Sequence, residues 1–185
     1  TDSYKLDLRQ QVFGNPNVIP LWVADMDLAV APPIAKVIQE RARHELYGYT
    51  IRSTSFIQSI VNWQKKQFQW TIEPDWVAYS PGVVPALAFS ILSMTDPQDG
   101  IIIQPPVYPP FFSVVKSNNR KLLLNPLIKN QKGEYVFNLE QFEQYAALPS
   151  TKLFILCHPH NPVGRDWSLQ ELTDIGNICI KHGVT

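Results

Sequence analysis

The stretch of the sequence richest in reactive groups is "CHPHNPVG", Cys157–Gly164, which follows the apolar run "KLFIL". Its thiol and two imidazoles could ligate zinc, but they lack the paired spacing of zinc sites and no second cluster exists. We therefore predict no metal site. A Cys–His nucleophile pair is a second possibility, although adjacent residues on a strand point to opposite faces. The "NPVG" turn is more informative, because the proline after Asn161 fixes the direction of its amide.

Two further segments could bind a ligand. In "YSPGVVPAL", Gly82 lies in a strand-to-helix turn, where free backbone N–H groups and close approach suit a phosphate. In "QPPVYPPF", two pairs of prolines stiffen the loop around Tyr108, whose ring could stack on a planar ligand. Each has an ordinary alternative, a strand–helix connection for the first and a packed loop tyrosine for the second.

A pair of carboxylates, Asp25 and Asp27, lies two positions apart in "ADMDL". Such a pair could take part in metal binding or acid–base catalysis. We predict instead a solvated or capping role.

The elements that must position these residues alternate along the chain. Apolar periodicity and capping signals predict helices at 31–47, 54–69, 85–94, 109–119, 138–147 and 168–183, and strands at 76–80, 100–105, 121–127 and 152–157. The helix at 85–94 is apolar almost all round, which predicts that it is buried. Continuously apolar strands are typical of a mostly parallel sheet with helices on both faces, and therefore of the α/β class. In such sheets ligands bind at the carboxyl ends of the strands, where all three segments lie.

Composition narrows the function further. Sixteen Lys and Arg balance sixteen Asp and Glu, so no basic excess indicates nucleic acid or an anionic membrane. The apolar runs are too short to span a bilayer, and the first residues carry no signal-peptide core. Two cysteines, Cys157 and Cys179, are too few for a disulfide framework and indicate a reducing cytoplasm.

Taken together, the segments resemble one family. "PLWVADMDLAVAPPI", "YGYT", "YSPGVVPAL", "QPPVYPPFF" and "LCHPHNPVGRDWSLQEL" follow the order and spacing of the amino-terminal half of a fold-type-I pyridoxal 5′-phosphate (PLP) enzyme of aminotransferase class I/II. "WVADMD" and "GYT" are more similar to the cystathionine β-lyase branch, the C–S lyases. The resemblance covers essentially the whole chain and implies the large-domain fold of aspartate aminotransferase-like, PLP-dependent transferases.

The resemblance also implies roles for individual residues. The backbone amides of Gly82, Val83 and Val84 would hold the cofactor phosphate. The ring of Tyr108 would stack on the pyridine, and the Asn161 amide would hydrogen-bond its phenolic oxygen. The family usually has Asn where this chain has His158, which leaves the hydrogen bonding at that edge of the cofactor open.

Other roles concern the substrate and a partner subunit. The loop Trp22, Ala24 and Asp25 would line the site for the substrate carboxylate. Tyr49 would reach the cofactor phosphate of the other subunit in a homodimer. Residues 1–50 would form a small-domain and dimer-contact segment, and residues 51–185 the first half of the PLP-binding large domain.

In the family, the Schiff-base lysine, the carboxylate at the pyridine nitrogen and the arginine for the substrate all follow the last helix present here. The resemblance therefore implies a truncated enzyme that needs a missing C-terminal half, and no catalytic residue is assigned in this chain. It also places strands from that half between segment 76–80 and the other strands. Alone, the chain would expose strand edges.

For the complete protein we predict a cytoplasmic PLP-dependent C–S β-lyase. It would act on a sulfur amino acid such as cystathionine and release pyruvate, ammonia and a thiol. One alternative is an aminotransferase on the same fold. Another, for this chain alone, is a catalytically inactive regulatory or interaction fragment.

Overall fold

The computed structural model describes residues 2–185, which divide into two compact units with the boundary between Ile72 and Glu73. The first unit contains helices α1 (Tyr4–Asp7), α2 (Arg9–Phe13), α3 (Pro32–Arg43) and α4 (Thr54–Phe68). The second begins with a short 3₁₀ turn, Pro74–Trp76, and continues with α5 (Val83–Met94), β1 (Gly100–Ile103), α6 (Pro110–Ser117), β2 (Lys121–Leu124), β3 (Ile128–Lys129), β4 (Tyr135–Val136), α7 (Leu139–Ala146), β5 (Thr151–Phe154) and α8 (Leu169–His182).

A three-stranded parallel sheet organises the second unit, in the order β2–β1–β5. Central strand β1 is buried along its whole length. Its side chains alternate between two apolar clusters: Ile101 and Ile103 face the cluster built with α5 and α6, and Ile102 faces the one built with α7 and α8. The sheet is therefore covered on both faces, and the predicted α/β class with parallel strands is confirmed.

The helix boundaries follow local capping signals. Ser53 and Ser168 cap α4 and α8 through their hydroxyl groups, and Ser168 forms a complete capping box with Glu171. Asn138 caps α7 by accepting from the Gln141 N–H, but the Gln141 side chain binds Asn125 instead of closing the box. Gly183, with φ at +67°, ends α8 in the left-handed region that glycine tolerates best.

The prediction of a strand at 76–80 is wrong for this structure. Trp76 ends the 3₁₀ turn, and Val77 is extended but pairs with no strand among residues 2–185. A strand needs hydrogen bonds to a neighbour, and none of β1, β2 and β5 pairs with this segment. A short antiparallel hairpin, β3–β4, was missed because each of its strands has only two residues.

Two helix predictions also need correction. Helix α3 stops at Arg43 rather than 47, because Glu45 has φ at +59°, outside the helical region. Helix α5 is not buried all round: Ile91 is its one fully buried residue, whereas Val83, Phe89, Leu92 and Met94 are exposed. Between residues 2 and 185, no helix has the length and apolarity needed to cross a bilayer.

Candidate functional site

Two of the segments that could bind a ligand leave the same end of the sheet, and the helix that follows the third points its amino end the same way. Strands β1 and β5 are parallel neighbours. The loops after them, which carry Tyr108 and Asn161, therefore leave from the same end of the sheet, where the strands have their carboxyl ends. Helix α5 has the opposite direction: Arg120, just before β2, donates to the Thr95 hydroxyl at the carboxyl end of α5. The amino end of α5 therefore points toward the carboxyl ends of the strands, from which the two loops leave.

The amino end of α5 offers free backbone donors. Gly82 occupies the N-cap without a side-chain cap, and its carbonyl accepts from the Ala86 N–H and the Ser80 hydroxyl. The N–H groups of Val83 and Val84 have no acceptor within the helix, as in any first helical turn. No backbone acceptor elsewhere in the described chain takes them. With the positive end of the helix dipole, they can bind an anion.

The space around Gly82 is open. Its backbone is extended, a conformation that any residue adopts, and a Cβ built on it would meet only Pro85, at 3.5 Å. The fold itself therefore does not require glycine here. A glycine leaves the approach to the Val83 and Val84 amides unobstructed for a ligand.

Tyr108 is fixed at one edge of its ring. Phe111, buried in the core, meets it edge-on with 6.1 Å between ring centroids, and the Phe111 N–H donates to the Tyr108 carbonyl at 3.0 Å. The residue nevertheless keeps 36% of its surface exposed. Tyr108 is thus held in a stiff loop while part of its ring remains available to a ligand.

Asn161 keeps its side-chain amide free. Asn161 is exposed, and its amide bonds no described residue. The backbone is held instead, since the Asn161 N–H donates to Cys157 Sγ at 3.3 Å. The same sulfur lies 3.6 Å from the Pro159 carbonyl oxygen, so the thiol belongs to the turn and forms no pair with a histidine.

His160 joins the two loops, a role that the sequence did not reveal. Its ring is 1% exposed, and Nε2 lies 3.1 Å from the carbonyl oxygen of Pro106, 54 residues away along the chain. Since a carbonyl only accepts, Nε2 carries the proton. Nδ1 is buried and makes no hydrogen bond to any described residue. Burial lowers the pKa of His160, although carbonyl contacts, chiefly with Pro106, oppose the shift.

Trp167 closes the loop that carries Asn161. Its indole N–H donates to the Cys157 carbonyl at 3.1 Å, and its backbone N–H donates to Nδ1 of His158 at 3.3 Å. The indole packs on Phe137 on one side, with 3.9 Å between ring centroids, and meets the ring of His160 edge-on on another. His158 thus helps to hold this loop in its conformation.

Arg165 and Glu171 brace the same loop from outside. The guanidinium lies 4.7 Å from the centre of the Trp167 ring and bonds the Glu171 carboxylate at 2.6 Å. Partial burial opposes ionisation of Glu171, but the hydrogen bonds from Ser168 and the charge of Arg165 outweigh it and lower its pKa. The start of α8 is thereby tied to the Asn161 loop.

A buried amide network supports the carboxyl ends of β1 and β2. The Gln104 side chain donates to the Asn125 side chain at 2.9 Å, and Asn125 donates to the Asn138 carbonyl and to Gln141. Gln104 and Asn125 are almost fully buried. Such a network fixes the strand ends from which the loops leave.

The remaining predicted residues belong to the first unit. Trp22 is partly exposed, and Ala24, Asp25 and Tyr49 are exposed, Tyr49 completely. The indole of Trp22 packs against Tyr4 and Phe13. Asp25 and Asp27 form no metal cluster, and residues 2–185 contain no group of three or more His, Cys, Asp and Glu side chains suited to a metal ion.

Comparison with known proteins adds the family context. The sequence profile of aminotransferase class I and II matches residues 16–185. Cystathionine β-lyase PatB of Bacillus subtilis (strain 168) is 40% identical over 185 residues, which cover 100% of this chain and 48% of that relative.

Solved structures give the same picture. A PLP-bound protein of Clostridium difficile 630, provisionally named an aminotransferase, matches 100% of this chain and 47% of its own, with a TM-score of 0.94 and 46% identity. Cystalysin of Treponema denticola, which contains a PLP cofactor, matches with a TM-score of 0.92 at 34% identity over 100% of this chain and 47% of its own. The chain thus spans about half the length of the relatives that it matches.

Proposed function

Because the chain belongs to the aminotransferase class I and II family, we propose that the complete protein is a PLP-dependent C–S β-lyase. The observation that carries the proposal is that three candidate segments are directed to the carboxyl ends of the strands. The loops of a partly exposed tyrosine and a free asparagine amide leave that end of the sheet, and the free N–H groups of a helix terminus point toward it.

These groups fit the chemistry of PLP one by one. Val83 and Val84 offer backbone donors for the phosphate, with Gly82 leaving the approach open. Tyr108 offers a ring for stacking on the pyridine, and Asn161 offers an amide for its phenolic oxygen. Their exposure in the structure supports the assignment, since each group has a free face or donor that nothing in the described chain occupies.

When bound, PLP supplies an aldehyde for the substrate's amine and a ring that accepts the electrons of the bond broken at the α-carbon. The residues of this chain would bind and orient the cofactor and the substrate. We assign to them no proton transfer and no covalent bond. In the proposed reaction, cystathionine and water yield homocysteine, pyruvate and ammonia. The thiol leaves from the β-carbon.

A lyase is favoured over an aminotransferase by the relatives. PatB, which matches 100% of this chain, is a cystathionine β-lyase. The family also contains aminotransferases, and the Clostridium difficile structure carries that provisional name, so amino transfer is the second candidate. The two differ in their products, since a transferase gives an amino acid from an added 2-oxo acid.

The proposal extends to the assembly and the compartment. Tyr49, completely exposed, would reach the cofactor phosphate of a second subunit, and Trp22, Ala24 and Asp25 would line the site for the substrate carboxylate. A cytoplasmic location is supported by two free cysteines, Cys157 and Cys179. Residues 1–50 are proposed as the dimer-contact segment and residues 51–185 as part of the PLP-binding domain.

The discriminating experiment offers the complete, PLP-loaded protein a sulfur amino acid with and without 2-oxoglutarate. The lyase proposal expects a thiol and pyruvate in both cases and no glutamate. Glutamate formed without thiol release would replace it with the aminotransferase. No product and no PLP binding would favour an inactive interaction protein.

A further inference from the structure

The first unit contains one buried charge, on Lys5. Among its described residues only Lys5 and Ile72 are buried, and the Lys5 side chain is 5% exposed. A buried ammonium is costly unless it is paired and hydrogen-bonded. The structure provides both: Lys5 Nζ lies 2.8 Å from the Asp25 carbonyl oxygen and 3.0 Å from Asp27 Oδ2.

The backbone of Lys5 makes a third contact to the same loop. The indole N–H of Trp22 donates to the Lys5 carbonyl at 3.2 Å. The indole is packed against Tyr4 with 5.0 Å between ring centroids, and Phe13 meets it edge-on at 5.6 Å. Lys5 therefore holds both ends of the loop Trp22–Asp27, with its carbonyl at one end and its ammonium at the other.

The contacts of Lys5 also determine which groups of the loop remain available to a ligand. Lys5 binds the backbone of Asp25 and leaves the Asp25 carboxylate without a partner in the described chain, whereas its ion pair is with Asp27. At 5% exposure, the ammonium is itself poorly placed to meet a soluble ligand. Lys5 acts on the loop and not on a ligand directly.

We propose that Lys5 is a positioning residue for the amino-acid substrate: it fixes the loop whose residues Trp22, Ala24 and Asp25 line the substrate carboxylate site. The proposal rests on the proposed function, from which the role of that loop comes. Lys5 lies about 20 residues upstream and carries no role in it. Loss of the ammonium frees the Asp25 end of the loop and weakens substrate binding, without touching the groups that hold the cofactor.

The test compares the complete, PLP-loaded protein with its Lys5→Met variant, which keeps an unbranched side chain and removes the charge. We expect KM for cystathionine to rise by about tenfold, which corresponds to ~1.4 kcal/mol of binding free energy. The expected changes in kcat and in PLP affinity are below about threefold, the pattern of lost uniform substrate binding. Lys36→Met is the matched control, since Lys36 is 77% exposed and bridges only Glu40.

A second measurement does not depend on turnover. Limited proteolysis within 22–27, followed by mass spectrometry without substrate, should be faster in Lys5→Met and unchanged in Lys36→Met, because cleavage of an exposed loop depends on its mobility. Lys5→Arg should restore slow cleavage in part. If Lys5→Met does not fold, Asp27→Asn replaces it, because Asp27 is 66% exposed and its loss breaks the ion pair alone.

The outcomes separate the two proposals. Unchanged cleavage at 22–27 would contradict the role of Lys5 in fixing the loop. Faster cleavage with an unchanged KM would contradict its role in substrate binding. A wild-type protein that turns over no sulfur amino acid would instead contradict the proposed function, and cleavage at 22–27 would still report on Lys5.

Discussion

Nε2 of His160 lies 3.1 Å from the carbonyl oxygen of Pro106, and this contact ties the loop of Asn161 to the loop of Tyr108. The imidazole is almost completely buried, so water cannot replace the bond if it is lost. The two proposed cofactor contacts depend on loops that leave neighbouring strands, and His160 sets their spacing. It is a positioning residue, since it contacts neither ring nor amide of the proposed site.

The first prediction concerns this contact. His160→Phe keeps a buried ring but leaves the Pro106 carbonyl without a donor, at a cost of about 1–3 kcal/mol. We expect a loss of stability of that size and a PLP affinity lower by about tenfold or more. Fluorescence titration with PLP and urea unfolding measure the two effects. His44→Ala, at an exposed helix end, is the control, and equal affinities for His160→Phe and wild type would contradict the role.

The buried imidazole also predicts a pH dependence. Because burial lowers the pKa of His160, the unfolded chain takes up its proton at a higher pH than the folded protein does. The contribution of neutral His160 to the free energy of unfolding is therefore fully present above about pH 6.5, the ordinary pKa of histidine, and is lost as the pH drops below that value. Urea unfolding between pH 5 and 8 should show a shallower decline for His160→Gln than for wild type. Parallel curves would mean that His160 does not titrate as its burial requires.

The third prediction separates ligand binding from folding at Gly82. Its extended backbone and the 3.5 Å contact of an added Cβ with Pro85 mean that Gly82→Ala keeps the fold, at a cost of about 1 kcal/mol or less from the preference of an N-cap for glycine over alanine. PLP affinity should fall, since the methyl group occupies the approach to the helix terminus. PLP titration and thermal unfolding of one preparation measure both.

Gly176 offers a matched control for that substitution. It lies in the interior of α8, where an added Cβ meets nothing within 4 Å. Gly176→Ala should stabilise the protein by roughly 0.5–1 kcal/mol and leave PLP binding unchanged. An unaltered PLP affinity in Gly82→Ala would remove the α5 terminus from the proposed phosphate site.

The fourth prediction concerns the ring of Tyr108. Stacking needs the aromatic face and not the hydroxyl group, so Tyr108→Phe should bind PLP nearly as well as wild type. Tyr108→Leu keeps an apolar side chain and loses stacking worth about 0.5–1.5 kcal/mol, which corresponds to roughly a two- to twelvefold loss of affinity. Competitive loading of the two variants with PLP compares them directly. A larger effect from Tyr108→Phe than from Tyr108→Leu would assign the contact to the hydroxyl.

Much of the fold was predictable because its signals are local. The Ser168–Glu171 capping box, the Ser53 cap and the continuously apolar β1 each lie within a few residues of sequence. The same is true of Gly82, Tyr108 and Asn161, whose neighbours in sequence already suggest a rigid turn or a helix start. The parallel topology then directs these segments to the carboxyl ends of the strands.

The contacts that were missed join residues far apart in the chain. His160 meets Pro106 across 54 positions, and Lys5 meets Asp25 and Asp27 across 20 and 22. No periodicity or spacing predicts such pairs. Segment 76–80 failed for the opposite reason: its local pattern is strand-like, but strand formation depends on a neighbour that the described chain does not place beside it.

The most direct test of the central claim measures pyruvate and thiol release from cystathionine by the complete protein, first stripped of PLP and then reloaded. A PLP-dependent C–S lyase should give no product when stripped of PLP, and equal amounts of pyruvate and homocysteine after PLP is added. Full activity without PLP, or a reloaded protein that binds PLP and releases neither product, would contradict it.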